Sequence, residues 1–227
     1  MKSGTGTLTL TGIGDYGGAT LVNAGTLAVN GTLNATSSAA VTNAALAGTG
    51  YVANGVTIGS GTGALASAIV APGGIGMIGT LTIGGALTLN SDAEFVFNLD
   101  STNGGAGNGS SELLAFSVSL NTDSQFNLSD ISSDPASLTP GTEFTVIEIR
   151  GGEIAGTFEN LPNDSRFSSG PNTYQATYSI NSLTVTVVPE PMTWAMVLAG
   201  LGMLSVVKRF AERLTRATPE HRESHAA

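Results

Sequence analysis

The stretch GTLTLTGIGDYGGATLVNAGTLAVNGTL, residues 6–33, decides the fold. Its aliphatic residues stand two apart with threonine or alanine between them, which is the period of a β-strand, whose side chains alternate between two faces. Glycine and asparagine separate the apolar runs, as at 15–18 and 22–25, and these residue types favour tight turns. The stretch therefore predicts short strands joined by turns.

Variants of this pattern return as far as residue 90. Gly-Thr-Leu or Gly-Ala-Leu, followed by further alternation, opens the segments 6–10, 25–29, 31–35, 79–83 and 85–89. Their spacing is irregular, although two pairs of segments begin six residues apart, at 25 and 31 and at 79 and 85. The weak repeat predicts a β-solenoid, in which each coil buries its aliphatic residues against neighbouring coils. A disordered segment rich in glycine and threonine is the alternative, and the regular alternation argues against it.

The strand pattern continues through the second half of the body. Most of the acidic and aromatic residues lie there, and the alternation predicts strands at 94–99, 143–149, 173–180 and 182–188. We therefore divide the chain into four segments: a solenoid repeat region at 1–93, a continuation of the same β-structure at 94–188, a proline-led apolar segment at 189–207 and a basic tail at 208–227.

Three phrases resemble the autotransporter-associated β-strand repeats of bacterial surface proteins. They are TGTLTLTGIGDYGGATLVNAGTLAVNGTL (5–33), IVAPGGIGMIGTLTIGGALTLNSDAEFVFNLD (69–100) and YQATYSINSLTVTVVPEP (174–191). The resemblance covers most of residues 4–191 and rests on the order of the phrases along the chain. It implies an all-β, right-handed parallel β-helix that belongs to an exported protein.

The apolar segment near the C-terminus predicts a single transmembrane α-helix. Met192 to Val207 are 16 residues without a charge, close to the about 17–25 that a span needs. Trp194 lies near one end, where indoles favour the membrane interface, and Gly200 permits close contact between helices. A basic stop follows, formed by Lys208, Arg209, Arg213 and Arg216. By the positive-inside rule this end stays in the cytoplasm and residues 1–188 lie across the membrane. The alternative, a buried helix of a soluble core, has no obvious place in a β-solenoid.

The residues before this segment, Val188, Pro189, Glu190 and Pro191, together with the apolar run and the basic stop, resemble the PEP-CTERM sorting signal of Gram-negative bacteria. The resemblance implies an inner-membrane anchor with the body in the periplasm, and recognition by an exosortase-like processing enzyme. It also implies removal of the tail and a final location at the cell surface or in the extracellular matrix, in association with exopolysaccharide and biofilm. The tail departs from the family pattern because it continues well past the basic stop.

The charge and the amino-acid composition of the chain argue against several classes of function. Residues 1–188 contain 13 Asp and Glu against 3 Lys and Arg, and so acidic a body argues against nucleic acid as a partner. The absence of cysteine excludes a thiolate nucleophile, and the two histidines lie in the last seven residues, so the body has no Ser-His-Asp triad. Two pairs remain as catalytic candidates, Asp92 with Glu94 and Glu148 with Arg150, because residues two apart are expected to share a strand face.

These observations predict an exported structural or adhesive protein with no catalytic, cofactor or metal site. A polysaccharide-cleaving β-helix enzyme and a passenger fragment of an autotransporter are the alternatives. The N-terminal MKSGTGTLTL has no apolar run of the kind that a signal peptide contains. We therefore expect a leader and earlier coils upstream of this reading frame.

Overall fold

The computed structural model describes residues 1–34, 38–103 and 109–189, together with Met203 and Lys208. Met1–Val188 form one compact unit and Pro189–Ala227 a second. The described residues of the first unit form an all-β fold, with nineteen strands and one short 3₁₀ turn at Ser101–Asn103. The predicted β-rich body is thus confirmed.

The first three coils each contain three short strands. They are β1 (Thr7–Leu10), β2 (Ile13–Gly14) and β3 (Thr20–Val22); β4 (Thr26–Val29), β5 (Thr32–Leu33) and β6 (Ala39–Val41); and β7 (Ala45–Gly48), β8 (Tyr51–Val52) and β9 (Val56–Ile58). Each strand lies parallel to its equivalent in the next coil. Thr7 is opposite Thr26 and Thr26 is opposite Ala45, so each coil advances the chain by 19 residues. The six-residue doublet at 25 and 31 corresponds to two successive strands of one coil, β4 and β5.

Later coils contain two longer strands instead of three. They are formed by β10 (Ala68–Pro72) with β11 (Thr80–Leu89) and by β12 (Ala93–Leu99) with β13 (Glu112–Leu120), and β14 (Gln125–Asp130) opens the next coil. The beginning of β11 pairs with β8 and its end pairs with β9. One strand therefore covers two faces, and its register against β13 shifts between Ile83 and Ala86, at a pair of glycines.

The stacked coils form two β-sheets, in which the strands of successive coils are parallel. The first sheet is six-stranded, in the order β1-β4-β7-β10-β12-β14, and the remaining strands join a second, 13-stranded sheet. Along the first sheet the paired residues continue from Ala45 to Ile69, Glu94 and Gln125. The number of residues per coil grows from 19 to 31 along this series, while the pairing stays continuous. Parallel pairing throughout these coils is compatible with a β-helix.

Three columns of inward side chains form the core. Each consists of residues in direct register across coils: Leu27, Leu46, Val70, Phe95 and Phe126; Val22, Val41, Ile58, Leu89 and Leu120; and Leu33, Val52, Ile83, Ala115 and Ile149. All of these side chains are buried. Burying each aliphatic or aromatic side chain contributes roughly 1.5–3 kcal/mol relative to exposure, so the columns stabilise the stack.

The C-terminal end of the body changes strand direction. It contains β15 (Glu143–Ile149), β16 (Ile154–Ala155), β17 (Arg166–Ser169), β18 (Asn172–Tyr178) and β19 (Ser182–Val188). β19 lies antiparallel to both β15 and β18, and β17 lies antiparallel to β18. The purely parallel stack predicted from the sequence therefore does not extend to residue 188. The connections at 170–171 and 179–181 are too short for a parallel crossover, which needs a dozen or more residues.

An aromatic cluster fills the core beneath this end. The Phe126 ring lies 5.7 Å from Phe158, 5.9 Å from Phe167 and 6.3 Å from Phe95, measured between centroids. Tyr174 stacks on Phe167 at 5.4 Å. Such distances suit favourable aromatic contacts, so the last parallel coil and the antiparallel strands share one packed core.

Candidate functional surfaces

The predicted sorting motif begins where the described body ends. Val188 is the last residue of β19 and pairs with Thr173 of β18, and Pro189 follows it. The other predicted residues of the motif, the span and the basic stop lie outside the described residues, except for Lys208; they are Glu190, Pro191, Met192, Trp194, Gly200, Val207, Arg209, Arg213 and Arg216. Lys208 is exposed. In the part of the chain that the structure describes, no helix is long and apolar enough to cross a membrane.

The first candidate pair of charged residues does not form a site. Asp92 precedes β12 rather than lying in it, and its side chain turns back toward the loop 59–67 of the preceding coil. Glu94 points outward and accepts a hydrogen bond from the Asn127 amide at 2.9 Å. The expectation that Asp92 and Glu94 share a strand face was therefore wrong.

Asp92 instead anchors the loop 59–67. Its Oδ2 accepts hydrogen bonds from the Ser60 N–H at 2.9 Å and the Ser60 hydroxyl at 2.8 Å, while Oδ1 accepts from the Gly61 N–H at 2.7 Å. The Gly63 N–H adds a longer bond to Oδ2 at 3.2 Å. The side chain is only 1% exposed, so these donors replace the water that the carboxylate loses on burial.

These contacts also change the acidity of Asp92. Burial raises its pKa, but hydrogen bonds from Ser60 and Gly61 together outweigh burial and lower the pKa from 3.8 to about 2. Hydrogen bonds from N–H donors favour the charged form of a carboxyl group. Asp92 is therefore ionised at neutral pH and acts as a structural anchor, since its hydrogen bonds hold a neighbouring loop of the same coil stack.

The second candidate pair does come together. Arg150 Nε lies 3.4 Å from Glu148 Oε1 on the outer surface of the second sheet. Nearby, burial and the negative charge of Glu148 raise the pKa of Glu112, while Arg150 opposes the shift. Both members of the Glu148–Arg150 pair are well exposed, so the pair contributes about 1 kcal/mol or less to stability. The three residues are the charged cluster in the described body that most resembles a reactive site.

A groove of about 290 Å³ lies on the outer surface of the first sheet. Its wall is the loop between β10 and β11, which is held by Asn98: the side-chain amide donates to the Gly74 and Met77 carbonyls at 2.7 and 2.9 Å. The groove is lined by Thr7, Thr9, Thr26, Ala28, Asn30, Ala47, Gly48, Gly73, Gly74, Ile75 and Met77. Hydroxyl, amide and apolar groups without a charge suit an uncharged polar ligand.

Metal binding has little support from the arrangement of side chains. Among the described residues, no group of three histidine or carboxylate side chains is placed to hold an ion. Asp100, which precedes the 3₁₀ turn, accepts hydrogen bonds from the backbone and side chains of Thr102 and Asn103. Those bonds serve the turn itself.

The first coil provides the link to known proteins. Residues 2–29 match the passenger-associated-transport-repeat. The matched segment contains β1, β2 and β3 and ends with the last residue of β4, so it corresponds to one full coil and the return of the chain to the first sheet. The match supports the predicted passenger-like repeats, and it hints at export to the cell surface. No curated protein shows significant similarity to the chain.

Sequence reasoning missed two outward-facing aromatic residues. Tyr51 and Phe116 lie in the outward phase of β8 and β13, beside the buried Val52 and Ala115. For Tyr51 the signal was present in the alternation, because the neighbouring strands carry Thr32 and Thr82 at the paired positions. Phe116 lies where the register between β11 and β13 shifts. Together with Arg150 they line a shallow trough of about 190 Å³.

Proposed function

We propose that the protein is an exported β-helical rod of the cell surface or extracellular matrix, with a structural or adhesive role. The observation that carries the proposal is the match of the first coil to the passenger-associated-transport-repeat. The proposed β-helix is right-handed, as the resemblance to passenger repeats implies. The acidic body keeps the rod soluble and disfavours nucleic acid as a partner.

The C-terminal segment gives the proposal its route to the surface. We assign Val188–Pro191 as a PEP-CTERM sorting motif, Met192–Val207 as a transmembrane helix and Lys208 with the following arginines as its cytoplasmic stop. An exosortase-like enzyme then recognises the motif in the inner membrane and releases the body for display. The sequence supports this assignment through the order of its proline-rich entry, uncharged run and cationic end.

The membrane assignment is tested by fusing residues 188–227 to a soluble reporter. We expect the fusion to sediment with membranes and to resist a carbonate wash. The matched control carries Leu198→Asp, which places a charge in the centre of the apolar run at a cost of about 3 kcal/mol and should release the reporter. A fusion that is fully soluble without the substitution contradicts the assignment.

The sorting assignment is tested with the full chain, given a secretion leader and produced in a host that has an exosortase. We expect a shortened form outside the inner membrane. Glu190→Ala should abolish that form, while Glu212→Ala, a carboxylate of the tail, should leave it intact. Equal processing of both variants would exclude the motif as the recognition signal.

Exopolysaccharide is the proposed partner of the displayed rod, and the uncharged groove on the first sheet suits such a ligand. A polysaccharide-cleaving activity is the second candidate. It is favoured by the grouping of Glu112, whose pKa is raised by burial and by the charge of Glu148, with Glu148 and Arg150, since glycoside hydrolysis uses a pair of carboxyl groups. Release of reducing ends from polysaccharide, lost in Glu112→Gln, would establish the enzyme. Absence of new reducing ends would favour the adhesive role.

A further inference from the structure

The trough on the second sheet has two exposed aromatic walls. Tyr51 is 40% exposed and Phe116 is 51% exposed. The large aromatic residues Phe95, Phe97 and Phe144, by contrast, are essentially inaccessible. Two exposed aromatic side chains that line one trough form an apolar patch, and apolar patches can mark binding sites.

Each ring rests over a glycine that leaves room for it. A Cβ atom built on Gly84 would lie 2.3 Å from the Tyr51 hydroxyl oxygen. A Cβ atom built on Gly151 would lie 2.2 Å from Cε2, 2.6 Å from Cδ2 and 3.0 Å from Cζ of Phe116. The Phe116 ring therefore lies across the backbone at Gly151, and its opposite side is open to solvent.

The two rings are separated by one intervening strand. Tyr51 lies on β8 and Phe116 on β13, and β11 runs between them and pairs with both strands. Neighbouring strands are about 4.8 Å apart, so β8 and β13 lie about 10 Å apart across the stack. Tyr51 is in register with Thr82 and Leu114, and Phe116 lies two residues further along its strand, so the two Cα atoms are about 12 Å apart. A polysaccharide strand of a few sugar units is long enough to reach from one aromatic residue to the other. Thr82, Gly84 and Leu114 also line the trough.

Groups that bind hydroxyls flank the rings. Arg150 lines the trough, and its Nε lies 3.4 Å from Oε1 of Glu148. The guanidinium donates and the carboxylate accepts hydrogen bonds, and both are exposed enough to exchange their mutual contact for ligand hydroxyls. Two aromatic side chains are too small an area for a stable protein interface, which buries about 800 Å² per partner.

We propose that this trough binds a neutral polysaccharide strand. Two sugar rings of the strand stack their C–H faces on Tyr51 and Phe116, while hydroxyl groups bond Glu148 and Arg150. The ligand is neutral because the body is strongly acidic and Glu112 and Glu148 outnumber Arg150 at the site. The inference rests on the proposed adhesive function and adds a second polysaccharide site to the groove on the first sheet.

The test is affinity electrophoresis of the full chain in mild detergent. Native gels contain either no polysaccharide, a neutral one (hydroxyethyl cellulose, galactomannan, dextran or arabinoxylan) or the anionic polygalacturonate. We expect at least one neutral polymer to retard the protein and polygalacturonate to have no effect. Phe116→Ala should weaken binding about three- to tenfold, as expected for the loss of one aromatic contact, and Phe116→Leu should weaken it similarly because leucine lacks a flat face.

Gly151→Ala is the sharper variant, since it keeps every residue of the trough. The three atoms nearest to its Cβ all belong to the Phe116 ring, so the substitution displaces the ring rather than the backbone. Binding should fall as in Phe116→Ala, with no change in melting temperature. Ile180→Ala is the matched control, because Ile180 is apolar and 65% exposed but lies in the β18–β19 turn, and it should bind like the original protein.

Three results would overturn the proposal: no retardation by any neutral polymer, retardation by polygalacturonate alone, or equal retardation of the original protein, Phe116→Ala and Gly151→Ala. A concentration-dependent dimer that Phe116→Ala abolishes would also overturn it, because the face would then bind a second copy. The reporter fusion is independent of the trough. If the original protein binds no neutral polymer while the reporter fusion reaches the membrane, only the trough is refuted. If the original protein binds a neutral polymer while the reporter fusion stays soluble, only the proposed sorting is refuted.

Discussion

Asp92→Asn should detach the loop 59–67 from the body. The substitution keeps the size of the side chain but replaces one acceptor oxygen with an amide that can only donate. That amide then faces either the Ser60 and Gly63 N–H groups or the Gly61 N–H, all of which are donors. At least one backbone N–H loses its partner in either orientation.

The expected fall in the free energy of unfolding follows from the lowered pKa of the buried Asp92 carboxyl group. A pKa lowered from 3.8 to about 2 corresponds to about 2 kcal/mol of stability at neutral pH. A mismatched donor adds a penalty of about 1–2 kcal/mol, which is limited because residues 60–63 are exposed and can bond water. We expect the free energy of unfolding to fall by about 2–4 kcal/mol at pH 7.

The effect should depend on pH in a defined direction. Because the pKa of Asp92 is lower in the folded state, its contribution is complete above about pH 4 and is lost as the pH falls toward 2. The Asp92→Asn variant has no such titration. The difference in stability between the two proteins should therefore shrink between about pH 4 and pH 2.

Urea denaturation followed by far-ultraviolet circular dichroism measures both quantities on the full chain. Asp134→Asn, which alters an exposed carboxylate, is the control and should change stability by less than about 0.5 kcal/mol. The reasoning is refuted if Asp92→Asn and Asp134→Asn have equal stability at pH 7. It is also refuted if the difference between the original protein and Asp92→Asn is constant from pH 7 to pH 2.

Three further substitutions test the packing of the body by the same denaturation assay. Gly31→Ala places a Cβ 2.2 Å from the Gly12 carbonyl oxygen, so it should lower the free energy of unfolding by about 2 kcal/mol or more. Gly12→Ala is the control, because its Cβ would have no atom within 4 Å, and it should leave the free energy of unfolding nearly unchanged. Asn172→Ala removes a side chain that forms hydrogen bonds with the backbone of residues 136 and 138, at 2.8 and 2.7 Å. We expect the free energy of unfolding to fall by about 1–3 kcal/mol and the segment 136–138 to be cleaved faster by proteases. Phe126→Ala should cost about 3–5 kcal/mol and reduce the near-ultraviolet signal of the aromatic cluster, and an unchanged signal would contradict its central position.

The strands were predictable because the alternation in the sequence is local. In residues 26–29 it placed Leu27 and Val29 inside, and both are buried. The 19-residue period was harder to find, since Thr7, Thr26 and Ala45 are equivalent in space but not identical in type. The same column continues with Ile69, Glu94 and Gln125, so residues of different size and polarity occupy equivalent positions.

Strand direction could not be predicted from alternation. Residues 182–188 alternate in the same way whether their neighbours run parallel or antiparallel, because the side-chain period is two in both cases. Only the short connections before β18 and β19 distinguish the two arrangements. The partner of Asp92 was hidden for another reason: it is the backbone of a loop about 30 residues earlier, and backbone donors leave no residue-type signature.

The constant pairing of coils that differ in length has a practical meaning. Successive strands of the first sheet are separated by between 19 and 31 residues, yet their lateral spacing stays at about 4.8 Å. Extra residues are taken up in the turns, so position along the first sheet is set by coil number rather than by chain length. A peptide grafted into a turn would consequently be displayed at a height fixed in advance. Peptides grafted into equivalent turns of different coils would be separated along the sheet by whole multiples of the interstrand spacing.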